Sequence, residues 1–430
     1  MRWLIGILLA TTFSPGIVGA QTQPDSTVIT NVTIIDVTEA KPQLLMCVLI
    51  SGDRISQIRP CAEFVVPKDA KVVDGRGKFL IPGLWDMHVH LGNASEGALP
   101  MLIASGVTGV RDMGSPSFET LRRWRTEILA GERVGPRIVA AGPILDAGVP
   151  DSNRWIVHNE AEARRAVDSL AQVGVDFIKV HEHLDRKTYF AIADEANRLG
   201  LAFAGHVPVN PDGDGFAVSG IEASNAGQKS LEHMFGIPFP GDDSIPELMV
   251  TLRKNGTWVD PTLRVFWNRV HFRELVAEKD PRLKHVAPAL KQFWDGQTNQ
   301  WTANTKIPEM LLQFRLTGLK TLHDAKIPLL AGTDLGFAYV YPGDLWKELA
   351  YLVEGGLTPL ESIRTATINP ARFLNREKDL GSVEQGKLAD LVLLDANPLD
   401  NIQNLRLVQA VFLNGRFFNR QALDAMQPVY

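Results

Sequence analysis

The chain is expected to fold as an α/β protein, a (β/α)8 TIM barrel with a small β-sandwich domain built from both chain termini. Three observations predict this. Eight short apolar runs alternate with helical patterns through the middle of the chain, over roughly the 250 residues typical of such a barrel. The two ends share a different texture, β-branched runs broken by turn dipeptides. Residues able to bind metal fall near the C-terminal ends of several of the runs, on the face where these barrels build their sites.

Residues 1–20 read as a secretory signal peptide. Arg2 supplies a short positive start, residues 3–13 an apolar run, and Val18, Gly19 and Ala20 small residues before a cut ahead of Gln21. The run is shorter than the roughly 20 residues of a spanning helix, so no stable membrane span is expected and the mature chain should be exported, periplasmic or secreted. After it, TVITNVTIID, LLMCVLISGDRISQIR and KVVDGRGKFL alternate strand runs with turn signals. LADLVLLD and LVQAVFLNGRFFN, with an Asn414-Gly415 hairpin signal, repeat the pattern near the C-terminus. Residues 21–82 and 379–430 are therefore expected to meet as one composite β-domain, with the barrel of residues 83–378 inserted between them. Pairing MCVLIS with RISQIR about Gly52-Asp53 places Cys47 opposite Ile58. A disulfide from Cys47 to Cys61 is thus permitted by export but not required by the register.

The candidate barrel strands are residues 83–91, 107–114, 137–146, 176–182, 202–208, 230–235, 257–263 and 328–336. Helical patterns separate them. In NEAEARRAVDSLAQVG, Asn159 is a cap, Glu162 stands three residues on, Ala163, Val167 and Leu170 form one face, and Gly174 stops the helix. RKTYFAIADEANRLG buries Tyr189, Ala193, Ala196 and Leu199 and stops at Gly200. A doubly wound open sheet is disfavoured because no Gly-rich nucleotide fingerprint follows the first strand. The connection over 264–327 is longer than the others and carries Trp267, Trp294 and Trp301. It reads either as a lid with an aromatic wall or as helices packed on the outer ring.

A formal net charge of -5 and the lack of any Lys/Arg block argue against nucleic acid as a partner and leave a small molecule as the expected ligand. In GLWDMHVHL, His88 and His90 stand two apart in a strand and leave from the same side, so one strand offers a metal two imidazoles. Lys179 in DFIKVHEH, His206 in LAFAGHVP, His233 in SLEHMFG and Asp334 in LLAGTDLG each end an apolar run. In a barrel these positions converge on one axial pocket, and imidazoles with a carboxylate suit borderline divalent ions such as zinc. Tyr339, Tyr341 and Arg264 follow strand ends and are candidates to orient a substrate carboxylate. His181 and His183, just beyond Lys179, are read as loop histidines or as contacts to the ligand residues or substrate, and His158, His271, His285 and His323 as background. No G-x-S-x-G elbow, H-E-x-x-H helix or P-loop offers a competing chemistry.

These residues, with GLTPLESIRTATINPARFL after the eighth run and LGSVEQGKLADLVLLDANPL on return to the β-domain, resemble the amidohydrolase superfamily over nearly the whole mature chain. The likeness is greatest to its imidazolonepropionase-like and prolidase-like branch. It implies a metal-dependent hydrolase of amide or peptide carbon–nitrogen bonds with two divalent metal ions, zinc being the expected one. His88 and His90 would hold the more buried ion with Asp334, His206 and His233 the second, and Lys179 would bridge both as a carbamate formed with carbon dioxide. The resemblance further implies attack by a hydroxide shared by the ions, with Asp334 carrying its proton to the leaving nitrogen. The implied substrate is an Xaa-Pro-like dipeptide or an N-acyl amino acid. Two alternatives stand beside this reading: a one-metal hydrolase of cyclic amides or deaminase using His88, His90, His206 and Asp334, and a non-catalytic barrel used for binding. A homo-oligomer is compatible with any of them.

Overall fold

The computed structural model describes residues 26–38, 41–212, 215–278, 280–297 and 306–430. The signal peptide expected at 1–20 and Trp301 lie outside them. Both termini build one eight-stranded sheet. Its organising strand, Ser26–Ile34, pairs antiparallel with Gln43–Ser51 on one edge and in parallel with Lys71–Asp74 and then Phe79–Pro82 on the other. Phe79–Pro82 passes the sheet on to Leu391–Leu394, Val408–Leu413 and Arg416–Asn419 from the far end of the chain. Ile29, Val48 and Ile55 therefore share a core with Leu391, Ala410 and Phe412. The described strands of the two terminal segments are hydrogen-bonded into this one sheet rather than into the two separate sheets of a sandwich.

The first hairpin departs from the expected register. A bulge between Leu49 and Ile50 shifts the pairs by one, so Cys47 faces Arg59 rather than Ile58. Beyond Pro60 the chain enters the short 3-10 turn Cys61–Glu63, which brings Cys61 to a Cα distance of 4.9 Å from Cys47, and the two form a disulfide.

The barrel wall runs through the parallel strands Leu84–Val89, Val107–Asp112 and Arg137–Ala140, then Ile178–Val180, Phe203–Gly205, Ser230–Glu232 and Trp258–Asp260. Every residue of the first two is buried, as strands covered on both faces must be. The third predicted run breaks at Gly142, whose φ of +71° no ordinary side chain favours; Ile144–Asp146 resumes beside Ile178–Val180 through the Leu145–Val180 bridge and carries Arg154–Ile156 on its other edge. The eighth run is held by single bridges, Val259 to Leu329 and Val89 to Leu335, and Asp334 donates its backbone N–H to the His88 carbonyl at 2.8 Å. Gly332 permits that approach, since a Cβ there would lie 2.4 Å from the Cβ of His88 and 2.5 Å from Asp260 Oδ2.

The helices follow their capping signals, although Leu199, expected to be buried, is exposed just past the end of Arg186–Arg198. Asn159 Oδ1 accepts from the Glu162 N–H at 3.0 Å to start Glu160–Val173, and Asp185 Oδ1 accepts from Thr188 at 2.7 Å to start Arg186–Arg198. The long connection contains helices Leu263–Val270, Phe272–Glu278, Pro288–Gly296 and Lys306–Asp324. Its described tryptophans are scaffold: Trp294 is buried against Tyr339 and Tyr341, and Trp267 stacks on His271. No helix among the described residues is long and apolar enough to cross a membrane.

Candidate metal centre

His88, His90, Lys179, His206, His233 and Asp334 all line one cavity of about 440 Å³ at the C-terminal ends of the strands. They are brought together from positions far apart in the chain because each ends or closely follows a parallel strand. The His88 ring lies 5.4 Å from that of His90 and 4.5 Å from that of His233, and His206 lies 4.8 Å from His233. Asp334 Oδ1 sits 3.3 Å from His90 Nε2 and 3.7 Å from His88 Nε2.

The outward nitrogen of each ring is tied down. His88 Nδ1 donates to Glu232 at 2.9 Å, His90 Nδ1 to the Gly114 carbonyl at 2.8 Å, and His206 Nδ1 to Glu182 at 3.1 Å. His233 Nδ1 shares a 2.5 Å hydrogen bond with the Thr262 hydroxyl. This leaves Nε2 as the ligating nitrogen of every ring, the usual arrangement of metal-binding histidines. The centre also holds buried polar atoms with no hydrogen-bond partner: His88 Nε2, Lys179 Nζ and Asp334 Oδ1. Burying such atoms is costly unless something meets them. Four imidazoles, a carboxylate and an open lysine therefore fit divalent metal.

The electrostatics agree. Burial lowers His88 to about 4 and holds His206 and His233 well below the usual imidazole range, so these rings are neutral donors. Burial also lowers Lys179 to about 8. For Asp334 burial acts upward, but His90, His88 and Arg269 outweigh it and keep the carboxylate ionised. The backbone is strained at the same place. His233, Asp334 and Thr262 adopt φ of 56°, 60° and 49°, left-handed values that cost non-glycine residues about 1–3 kcal/mol each and collect at functional sites.

Beneath the centre lies a charged layer that the sequence reading missed. Arg111, wholly buried, donates from Nη2 to both oxygens of Glu232 at 2.9 Å, from Nη1 to Ser230 at 2.9 Å and from Nε to the Met87 carbonyl at 2.6 Å. Burial raises Glu232, but Arg111 and His88 prevail and hold it far below its usual range. Asp260 beside it, with neither oxygen hydrogen-bonded, is pushed well above. His181 and His183 place their Nδ1 atoms 3.2 and 3.0 Å from Asp146, and His181 stacks on His206 at 4.2 Å. They lie beside the centre as expected, although Asp146 as their anchor was unforeseen.

The three residues proposed to orient a substrate carboxylate lie elsewhere. None of Arg264, Tyr339 or Tyr341 is among the cavity-lining residues. Arg264 is buried and spends Nη2 and Nε on Asp344 at 2.9 and 3.2 Å; the Tyr339 hydroxyl donates to Asp295; Tyr341 packs under the Arg282 guanidinium at 4.2 Å. A side chain a few residues past a strand end can face away from the mouth, as these three do, so proximity in sequence does not place it there. The cavity wall is instead formed by Phe235, Phe266, Phe293, Phe337, Arg154 and Arg269.

Comparison with known proteins accords with this geometry. The chain is 26% identical over 408 residues to ochratoxinase of Aspergillus niger, covering 79% of this chain and 75% of that protein. It is 23% identical over 386 residues to imidazolonepropionase of Alkaliphilus oremlandii, covering 81% and 83%. A solved Xaa-Pro dipeptidase with methionine in its active site superposes with a TM-score of 0.70 at 24% identity, covering 92% of this chain and all of that one, which speaks to the fold alone. Residues 79–418, the whole barrel with its flanking strands, match the sequence model of the amidohydrolase family, and the chain belongs to that family.

Proposed function

We propose that the protein is an exported two-metal amidohydrolase that cleaves the amide bond of a dipeptide or an N-acyl amino acid. Metal-dependent hydrolysis of carbon–nitrogen bonds accompanies the family; the number of ions, the carbamate, the export and the substrate class are the proposal. The observation that carries it is the set of buried, unpartnered atoms on His88, Lys179 and Asp334, aimed into one cavity with His90, His206 and His233. His88, His90 and Asp334 would hold one ion, His206 and His233 a second, with Lys179 between them as the carbamate. A lysine lowered to about 8 offers the neutral amine that carbon dioxide requires at near-neutral pH.

Bound divalent ions supply acidity at water and polarise the substrate carbonyl. The chain's own residues do the rest. Asp334, kept anionic, accepts a proton from the attacking water and returns it to the leaving nitrogen. Hydroxyl joins the acyl carbon as the carbon–nitrogen bond breaks, and a carboxylic acid and an amine depart. Glu232, fixed by Arg111, stops the His88 ring from rotating. Export is supported by the Cys47–Cys61 disulfide, which persists best in an oxidising compartment, together with the pattern of residues 1–20.

Metal analysis of protein prepared with zinc and isotope-labelled bicarbonate, alongside Lys179→Ala, tests the centre. About two ions per chain and a carbamate resonance, both lost on substitution, are expected. One ion per chain that ignores Lys179 overturns the bridged site and turns attention to cyclic amides and deamination.

A further inference from the structure

Resting on that hydrolase reading, we infer that the preferred substrate is an amide whose acyl side is apolar and carries no free ammonium group. It is joined to an amino acid whose carboxylate is held on the Arg269 side of the cavity, and free dipeptides are poorer substrates.

Charge carries this first. Arg269 lines the cavity with its guanidinium 4.8 Å from the Phe266 ring, and Arg315 lies 3.4 Å from the same ring. Arg315 is only 4% exposed; it donates to the Leu311 carbonyl at 3.0 Å, and among the described residues no carboxylate pairs with it. Burial and the like charge of Arg269 both weigh against its cation. Phe266 in turn lies 6.0 Å from the His233 ring, so this positive corner adjoins the metal-binding residues. An anion placed there lessens the mutual repulsion of Arg269 and Arg315, adding to the attraction that Asp334 and Glu182 already exert on Arg269. An ammonium group would meet the same field, with bound divalent ions added to it.

The acids of the wall offer an ammonium little in return. Asp151 is paired with Arg154, Glu182 accepts from His206 and faces the charge of Arg269, and Asp334 belongs to the metal centre. Beside His90 the wall is aromatic: Phe337 meets His90 edge-on at 4.9 Å, and Phe293 meets Phe337 at 5.6 Å. An amide spanning the centre thus places its carboxylate toward Arg269 and its acyl group against Phe293 and Phe337. Apolar burial rewards a bulky acyl group there, and Phe is a poorer cation partner than Trp or Tyr.

The test compares kcat/KM for N-benzoyl-phenylalanine, phenylalanyl-phenylalanine and N-benzoyl-phenylalaninamide on metal-loaded protein. Calorimetric binding of the same three to the Asp334→Asn variant accompanies it. The blocked acid is expected to exceed both others by at least about tenfold. Arg269→Gln should raise KM for the acid and leave the amide-capped compound unchanged. Phe337→Leu, which keeps the wall apolar should Arg269→Gln not fold, should lower kcat/KM for benzoyl more than for acetyl substrates. Equal or better turnover of the dipeptide, or indifference to the carboxylate, overturns the inference while leaving the hydrolase reading intact. Full metal loading with cleavage of none of the three overturns that reading, and the inference with it.

Discussion

His233 and Arg264 both follow strand ends of the same barrel and both are buried, yet one is left open by its neighbours and the other is closed. Around His233, a lysine nitrogen, an imidazole nitrogen and a carboxylate oxygen stand without partners, and strained backbone holds them. Around Arg264, Asp344 takes that guanidinium at 2.9 Å, Arg282 at 2.6 Å and Lys347 at 3.5 Å. Glu348 accepts the backbone N–H groups of Leu263 and Arg264 at 2.9 and 2.6 Å, closing the first turn of helix Leu263–Val270. The difference separates a site from a strut. Buried charge alone marks neither; what marks a site is charge whose hydrogen-bonding capacity the fold declines to use.

Substitution in each cluster should therefore change different quantities. Asp334→Asn is expected to lower kcat by roughly ten-thousandfold, as loss of a group acting in the transition state does. Thermal stability should fall only modestly, because the lost attraction to His90, His88 and Arg269 is partly offset by the relief of burying an anion. Arg264→Met should do the reverse: a stability loss of about 3 kcal/mol in urea unfolding, at the low end for a broken buried pair because Arg282 and Lys347 remain on Asp344. KM should stay unchanged in the folded fraction. A raised KM in Arg264→Met would return that arginine to substrate binding and erase the contrast.

Glu232→Gln probes the layer that joins both behaviours, since Glu232 is fully paired yet touches a proposed ligand. Its loss should weaken metal affinity by about ten- to a hundredfold, measured by competition with a chelator. An unchanged affinity with lowered stability would place Glu232 among the struts.

Much of the open cluster was legible because a barrel gathers strand ends, so His88, His90, Lys179, His206, His233 and Asp334 needed only order along the chain to be grouped. The closed cluster was not, because a side chain one turn past a strand end can face either way, and Arg264 looks the same in sequence whichever it does. Arg111 and Glu232 did carry a signal. An arginine inside TGVRDM and a glutamate inside SLEHM interrupt strands that must be buried on both faces, and each such charge demands a partner. The register of the cysteine hairpin had no such signal, since the shift that sets Cys47 opposite Arg59 comes from one extra residue, Ser56, between the partners of Ile50 and Leu49, and no residue type there announces it. The terminal sheet was read as one domain from its texture, but texture could not tell one sheet from two.

The gentlest test of the contrast is a titration of the closed cluster. Burial raises Glu348 from 4.5 to about 8, against the two backbone N–H groups that favour its charged form. An acid raised in the folded state binds its proton there at pH values where the unfolded chain has released it. Stability must then fall as pH climbs from about 4.5 toward 8, by at most about 1.4 kcal/mol per pH unit for one proton. Glu348→Gln should cost a constant increment, from the lost acceptor, and remove that share of the slope. The check is the difference between wild-type and variant urea midpoints at pH 5 and at pH 8, which cancels the other carboxylates. A difference that does not change with pH would mean that Glu348 is ionised within the fold, held by Leu263, Arg264 and the nearby guanidinium. The closed cluster would then be stabilised by its charges throughout.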